Sequence, residues 1–374
     1  MTRADFDVAI VGAGIVGLSA AAALARRGRS VVVLERREAI ARETASRSSE
    51  VVHAGLYYPP GSLKATLCRA GREALYARCE RLGIPHRRIG KLVVATTQDE
   101  IAVLEALLRQ GTENGAPGLE IVSGAEAARL EPAVRARAAL LSPGTGIVDS
   151  HALAVSYLAE AEAHGAALAL RTEVVGIGAG AGRFSLRVAD AGGALATLSC
   201  VALVNAAGLA ADRVAEMAGI DVGARGLRLR PCKGDYFSLA PGSRLRLSRL
   251  VYPVPEQAGL GIHATLDLAG RIRFGPDAEY VSALRYDVDP AKAAAFAAAA
   301  SRYLPGLEAG MLAPDTAGIR PKLAGPGEGF RDFVIAEESG AGLPGLVNLV
   351  GIESPGLTAV HAIGDRVAEL LSGP

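Results

Sequence analysis

Tryptophan is missing from this chain of 374 residues, and aromatic residues make up only 4% of it. That excludes a surface that stacks a row of bases. Excess charge of either sign is also missing: 40 Lys and Arg stand against 39 Asp and Glu, a formal net charge of +1. No global field draws nucleic acid or anionic lipid, so any anion recognition must be local. Cysteine is scarce. Cys68, Cys79, Cys200 and Cys232 form no C-x-x-C pair, which argues against a zinc site or a disulfide framework and for buried thiols in a reducing cytoplasm. The start carries Asp5 and Asp7 where a secretory signal needs a basic residue. Val8 to Ala25 is uncharged, but Gly12, Gly14 and Gly17 break it into strand, turn and helix rather than a membrane span. The expectation is a cytoplasmic protein without a transmembrane segment, with peripheral contact at the inner face of a membrane left open.

Glycine, by contrast, is plentiful: 45 residues, well above the usual share of about 7%. No three-residue period accompanies it, and 50% of the chain is hydrophobic, so neither a collagen-like nor a disordered chain fits. The excess belongs to turns, close backbone approaches and ligand loops.

Phe6–Val11 reads as a buried strand, Gly14–Arg27 as a helix and Ser30–Leu34 as a second strand. Residues 41–60 lack periodicity and read as a long functional loop, followed by an amphipathic helix over Ser62–Leu82. Further helices are expected over Asp99–Asn114, Ser150–His164 and Pro290–Tyr303, and a closing helix over Gly356–Leu371. One strand is expected over Leu168–Ile177, and a hairpin around Gly192-Gly193. Short strands at Tyr236–Leu239, Leu250–Val254, Gly261–Thr265 and Ile272–Phe274 suggest an antiparallel sheet. The fold class is α/β with an α+β substrate domain. A Rossmann-like nucleotide domain (1–84, 145–222 and 318–374) is interleaved with an antiparallel-sheet substrate domain (85–144 and 223–317).

Gly12-Ala13-Gly14-Ile15-Val16-Gly17 is G-x-G-x-x-G in its full context, after a strand and opening a helix. Gly12 permits the turn, Gly14 admits a pyrophosphate, and Gly17 lets helix and strand pack closely. The helix N-terminus supplies N–H donors, and Glu35 ends the second strand, where an acid accepts from a ribose diol. The motif alone does not separate NAD from FAD. Its place at the start of the chain, and a return near the end through Gly351-Ile352-Glu353-Ser354-Pro355-Gly356-Leu357-Thr358 into a last helix, favour FAD.

These residues resemble the FAD-dependent amine and hydroxy-acid oxidoreductases of the D-amino-acid oxidase superfamily, and within it the L-2-hydroxyglutarate dehydrogenases and oxidases most closely. The resemblance rests on Gly12–Gly17, Ser46–Cys68, Gly144–His151, Asn205–Gly208, Lys233–Tyr236, Tyr252–Pro255, Gly261–Thr265, Gly318–Lys322 and Gly351–Thr358. Two departures stand out: Ser48-Ser49 where that family commonly has Asn-Ser, and Lys233 where it commonly has arginine. A lysine neutralises a carboxylate as a point charge, without a bidentate fork.

The resemblance implies FAD and a small carboxylic acid as substrate. The activity expected is oxidation of an L-2-hydroxy acid, with L-2-hydroxyglutarate leading. An amino- or imino-acid oxidase, or a flavin-binding protein without turnover, is the alternative. The electron acceptor would be a quinone, an electron-transfer protein or O₂. Cofactor contacts are expected from Gly12, Gly14, Ile15, Val16, Gly17, Glu35, Arg36, Ser46, Ser48, Ser49, Val174, Ala206, Gly208, Arg320, Gly351, Ser354, Gly356, Leu357 and Thr358. His263 and His53 are the candidate bases, since imidazole titrates near neutrality, with His263 preferred. His53 is also the candidate for a covalent flavin link, although non-covalent binding is the main expectation. Lys233 and Arg320 are the expected carboxylate partners, with Tyr57, Tyr58 and Tyr252 lining the pocket. Glu353 would orient a base or touch the flavin edge.

Overall fold

The computed structural model describes residues 3–180, 182–255 and 261–372. Two large sheets and one small one organise it. The first is built on parallel strands in the spatial order 167–169, 31–34, 6–11, 195–205 and 343–350, with 334–338 added antiparallel at the edge. β-Branched residues fill its centre: Val31–Leu34 is buried throughout, as a strand covered on both faces should be. Asn205 and Asn348 are register partners, and the Asn205 amide donates to the Asn348 side-chain oxygen at 2.9 Å. This satisfies two buried polar groups at the carboxyl ends of the strands.

The helix Ile15–Ala25 follows the first strand at once and is buried on every side. A helix that is apolar all round must be sandwiched. It packs against the helices Ser150–Ala163 and Gly356–Leu370. Gly364 makes the second contact close, since a Cβ there would lie 2.4 Å from Ser19 Oγ. Asp149 caps the helix at 150, accepting from the Ala152 N–H at 2.8 Å. Ser62 caps Leu63–Leu82 in the same way.

The second sheet has nine strands, including Arg230–Leu239, Leu250–Pro253, Ala264–Leu266, Ile272–Phe274, Lys91–Ala95 and Leu312–Lys322. It is antiparallel except where 250–253 runs parallel to 91–95. Gly234 faces Gly318 across its longest ladder. The third sheet joins Val51–Val52, Gly146–Val148 and His86–Arg87.

Two sequence expectations change. The strand expected over Leu168–Ile177 is two, Ala167–Ala169 and Glu173–Gly180, because Arg171 takes a left-handed φ of 52° between them. The strand Leu312–Lys322 had no clear signal, since two prolines interrupt its alternation. It runs whole in the nine-stranded sheet, so position 318 falls inside a strand.

Candidate active site

One open trough, with a cavity of about 380 Å³, runs from the first sheet to the second. At one end the strand Phe6–Val11 stops and the chain turns at Gly12, whose φ is 106°. A Cβ on Gly12 would sit 2.6 Å from the Ala206 carbonyl oxygen, and one on Gly17 would sit 2.0 Å from the Gly12 carbonyl oxygen. These two glycines hold the turn, the helix and the neighbouring strand together. Gly14 differs: nothing lies within 4 Å of its Cβ position, and it lines the trough. It caps the helix with no side-chain hydrogen bond to the first N–H groups. That is the open cradle a pyrophosphate needs.

Glu35 lies beside this turn. Its carboxylate accepts from the Ala13 N–H and the Arg37 N–H, both at 2.8 Å, which fixes it at the trough wall. Arg36, Val174, Ala206 and Gly208 line the same end, with Ile15 and Val16 at the helix start. Arg213 and Arg47 also line the trough and had no assigned role in the sequence. Arg47 caps the Tyr286 ring at 4.0 Å. It lies within the Ser46–Cys68 stretch that carries the family resemblance.

The far end brings His53, Tyr252, His263, Tyr236, Arg320 and Glu353 into one wall. His263 immediately precedes the strand at 264, and its carbonyl accepts from the Gly275 N–H at 2.9 Å. Its ring stacks on Tyr252 with centroids 3.5 Å apart. The His53 N–H donates to Thr358 Oγ1 at 2.9 Å, and His53 Nε2 lies 3.3 Å from Ser354 Oγ. His53 Nδ1 is buried with no hydrogen-bond partner among the described residues. Burial, helped by the nearby positive charge of Lys91, pushes the His53 imidazole down to about 3. Glu353 is held by Lys64 at 2.9 Å and Lys322 at 3.0 Å. Burial pushes its carboxyl up, but the two ammonium groups outweigh that and leave it below the usual carboxylate range.

Several expected contacts lie elsewhere. Gly17 and Gly351 act behind the wall: the first packs on Gly12, and the second takes a φ of 74° against Leu323. Thr358 holds the His53 backbone. Ser46 is exposed and donates to the Glu43 carbonyl, while Ser48 and Ser49 do line the trough. Tyr57 is not a lining residue; its hydroxyl meets Lys91 Nζ at 3.3 Å. Tyr58 is buried, with its hydroxyl 3.4 Å from Ser354 Oγ.

Lys233 requires a correction. It is buried outside the trough, where its ammonium pairs with Asp235 at 3.0 Å and donates to the Asp287 carbonyl. Strand alternation explains this: Gly234 and Tyr236 face the trough, so Lys233 and Asp235 face away. Arg320 does face it, but its Nε and Nη2 donate to the carbonyls of Cys232, Lys233 and Asp277. Only Nη1 is left for a ligand among the described contacts, so the full fork expected from the sequence is not presented.

Relatives agree with this geometry. A family model described as FAD dependent oxidoreductase matches residues 7–370. The chain belongs to this FAD-dependent oxidoreductase family. It is 40% identical to the mitochondrial L-2-hydroxyglutarate dehydrogenase of Arabidopsis thaliana, over 97% of this chain and 82% of that protein. The human protein of the same name is 35% identical over 74% of this chain and 62% of its own length. The FAD-bound, dithionite-reduced L-alpha-glycerophosphate oxidase of Mycoplasma pneumoniae superposes with a TM-score of 0.86 at 25% identity, covering 99% of this chain and 95% of that one. Glycine oxidase from Geobacillus kaustophilus shares the fold, with a TM-score of 0.81 at 23% identity over 99% and 95% of the two chains. The protein is thus an FAD-dependent oxidoreductase. The trough residues fit the cofactor: the Gly14 cradle and helix start suit its pyrophosphate, and Glu35 suits a ribose diol.

Proposed function

We propose that the protein oxidises an L-2-hydroxy acid, with L-2-hydroxyglutarate as the leading substrate and 2-oxoglutarate as the product. The observation that carries this reading is that His263, His53 and Arg320 line the same trough as the dinucleotide cradle. Similarity to proteins named L-2-hydroxyglutarate dehydrogenase supports the substrate. FAD, when bound, supplies the hydride acceptor. His263 takes the hydroxyl proton on an imidazole nitrogen. His53 suits that task less, because a group pushed down to about 3 is a weak base at neutral pH. It serves instead as a neutral hydrogen-bonding group, oriented by Thr358 and Ser354. Arg320 places a cation near the carboxylate, through Nη1 and its charge. Tyr252 holds the His263 ring flat.

We assign the cofactor to the first sheet and its helices, with segments 1–84, 145–222 and 318–374 as its frame, except that 318–322 complete a strand of the nine-stranded sheet. The substrate is assigned to the nine-stranded sheet, with 85–144 and 223–317 as its frame. Binding of FAD without a covalent link is proposed. Reoxidation falls to a quinone, an electron-transfer protein or O₂. No helix among the described residues is long and apolar enough to cross a membrane. Four free, buried cysteines suit a reducing compartment, and several relatives are named as mitochondrial. Turnover of 2-hydroxy acids against a panel of amino acids tests the reading; activity on amino acids alone would sink it.

A further inference from the structure

Lys91 opens the strand Lys91–Ala95 and is fully buried. Its side chain shares a sheet face with Val93 and Ala95, which pack with Ala54, Leu56 and Leu104 in an apolar cluster. An ammonium on such a face costs folding energy unless it is paired. Among the described residues Lys91 makes no ion pair, and its one hydrogen bond is to the Tyr57 hydroxyl at 3.3 Å. Two aromatic rings hold it instead, Tyr57 at 4.5 Å and Tyr252 at 4.7 Å from ring centroid to Nζ. Tyr252 is itself a wall of the trough and carries His263 on its ring. The cation therefore sits immediately behind the far end of the site, where Lys233 was expected to act and does not.

We propose that Lys91 is a positioning residue, the buried cation that draws the substrate's carboxylate to the His53–His263 end of the trough. The inference rests on the carboxylic-acid substrate proposed above. The field of a unit charge acts through the low-dielectric wall with little screening by salt. It also acts on His53, where the same positive charge opposes protonation of the imidazole. Two cation–π contacts offset only part of the cost of burying that ammonium, and methionine would fill the same space at lower cost.

The groups that face Lys91 are His53, Tyr57, Cys68 and Tyr252. Burial pushes His53 down to about 3, Cys68 up to about 12 and both tyrosines above their ordinary value. Burial lowers Lys91 itself to about 7. Of these five, Lys91 alone changes charge between pH 5.5 and 9. Its charge, and the attraction with it, is present below that value and fades above it.

The test uses FAD-loaded wild type, Lys91→Met and Lys91→Arg. Steady-state turnover of L-2-hydroxyglutarate with an artificial electron acceptor gives KM and kcat, and perturbation of the flavin spectrum by 2-oxoglutarate gives a dissociation constant. Lys91→Met is expected to raise KM and that constant on the order of tenfold, with kcat changed far less. It should melt no lower than wild type, and Lys91→Arg should restore part of the affinity. Wild-type affinity for 2-oxoglutarate should fall as pH rises from 6 to 8.5. Unchanged binding in Lys91→Met overturns the proposal. Should that variant fail to hold FAD, Lys91→Arg decides, since a guanidinium keeps its charge across this range: loss of the fall between pH 6 and 8.5 supports the proposal, and an unchanged fall overturns it. Failure of the hydroxy-acid reading is visible separately, as wild-type flavin that no 2-hydroxy acid reduces. The 2-oxoglutarate comparison still decides the role of Lys91 in that case.

Discussion

The Tyr252 and His263 rings lie 8° from parallel with centroids 3.5 Å apart. Stacking on a ring that is itself buried removes most of the freedom of the imidazole. If His263 is the base, its loss should act on chemistry rather than on cofactor binding. His263→Ala is expected to slow flavin reduction by about 10²- to 10⁴-fold, the usual range for removing a general base. Its dissociation constant for FAD should change little. Stopped-flow reduction together with FAD titration separates the two. Loss of FAD with unchanged reduction of the remaining holoprotein would contradict the assignment.

Two of the fingerprint glycines, Gly14 and Gly12, should behave differently from each other. Gly14→Ala meets no atom within 4 Å, so apoprotein stability should hold while FAD affinity drops by at least about tenfold. Gly12→Ala combines a φ of 106° with a Cβ only 2.6 Å from a backbone oxygen, so it should destabilise the apoprotein by about 2 kcal/mol or more. Thermal melts of both apoproteins check the contrast. Equal melting losses would mean that Gly14 is structural too.

Local chemistry explains why the fingerprint was legible in advance. Gly12, Gly14, Gly17 and Glu35 lie within 24 positions, and each is explained by one short strand–turn–helix–strand unit. The far wall was harder. His53 and His263 are chemically conspicuous, and both line the trough. Lys233 looked equally suitable, but the alternation of its strand decides its direction, and the register of that strand is fixed by pairing with 312–322. That partner strand, broken by Pro314 and Pro321, had no period to read. Lys91 carries no signal in the sequence, where a lysine before an apolar run is indistinguishable from a solvated strand end; only the chain packed over it shows its burial.

Glu353 should link stability to pH. Its carboxyl is lowered in the folded protein, so its contribution is present above the ordinary glutamate value of 4.5 and is lost as pH falls through the lower folded value. Glu353→Gln leaves Lys64 and Lys322 without their shared partner and should cost about 2–5 kcal/mol near pH 7. The gap to wild type should close in strong acid. Denaturant melts at pH 7 and pH 3.5 measure it. A gap that widens on acidification would reverse the sign and refute the account.

Covalent attachment is decided by acid precipitation. His53 Nε2 lies beside Ser354 Oγ, and the flavin is expected to be non-covalent. All of the yellow colour should therefore appear in the supernatant. Colour retained in the pellet, and lost from it in His53→Ala, would establish a link instead.

The most direct measurement of the central claim is anaerobic bleaching of the wild-type flavin. The panel should contain both enantiomers of 2-hydroxyglutarate, L-α-glycerophosphate, glycine and L-proline. The account predicts rapid bleaching by L-2-hydroxyglutarate, with 2-oxoglutarate formed in equal amount, and little or none by the D-enantiomer or the amino acids. Bleaching by an amino acid while both 2-hydroxyglutarates leave the spectrum unchanged would contradict it.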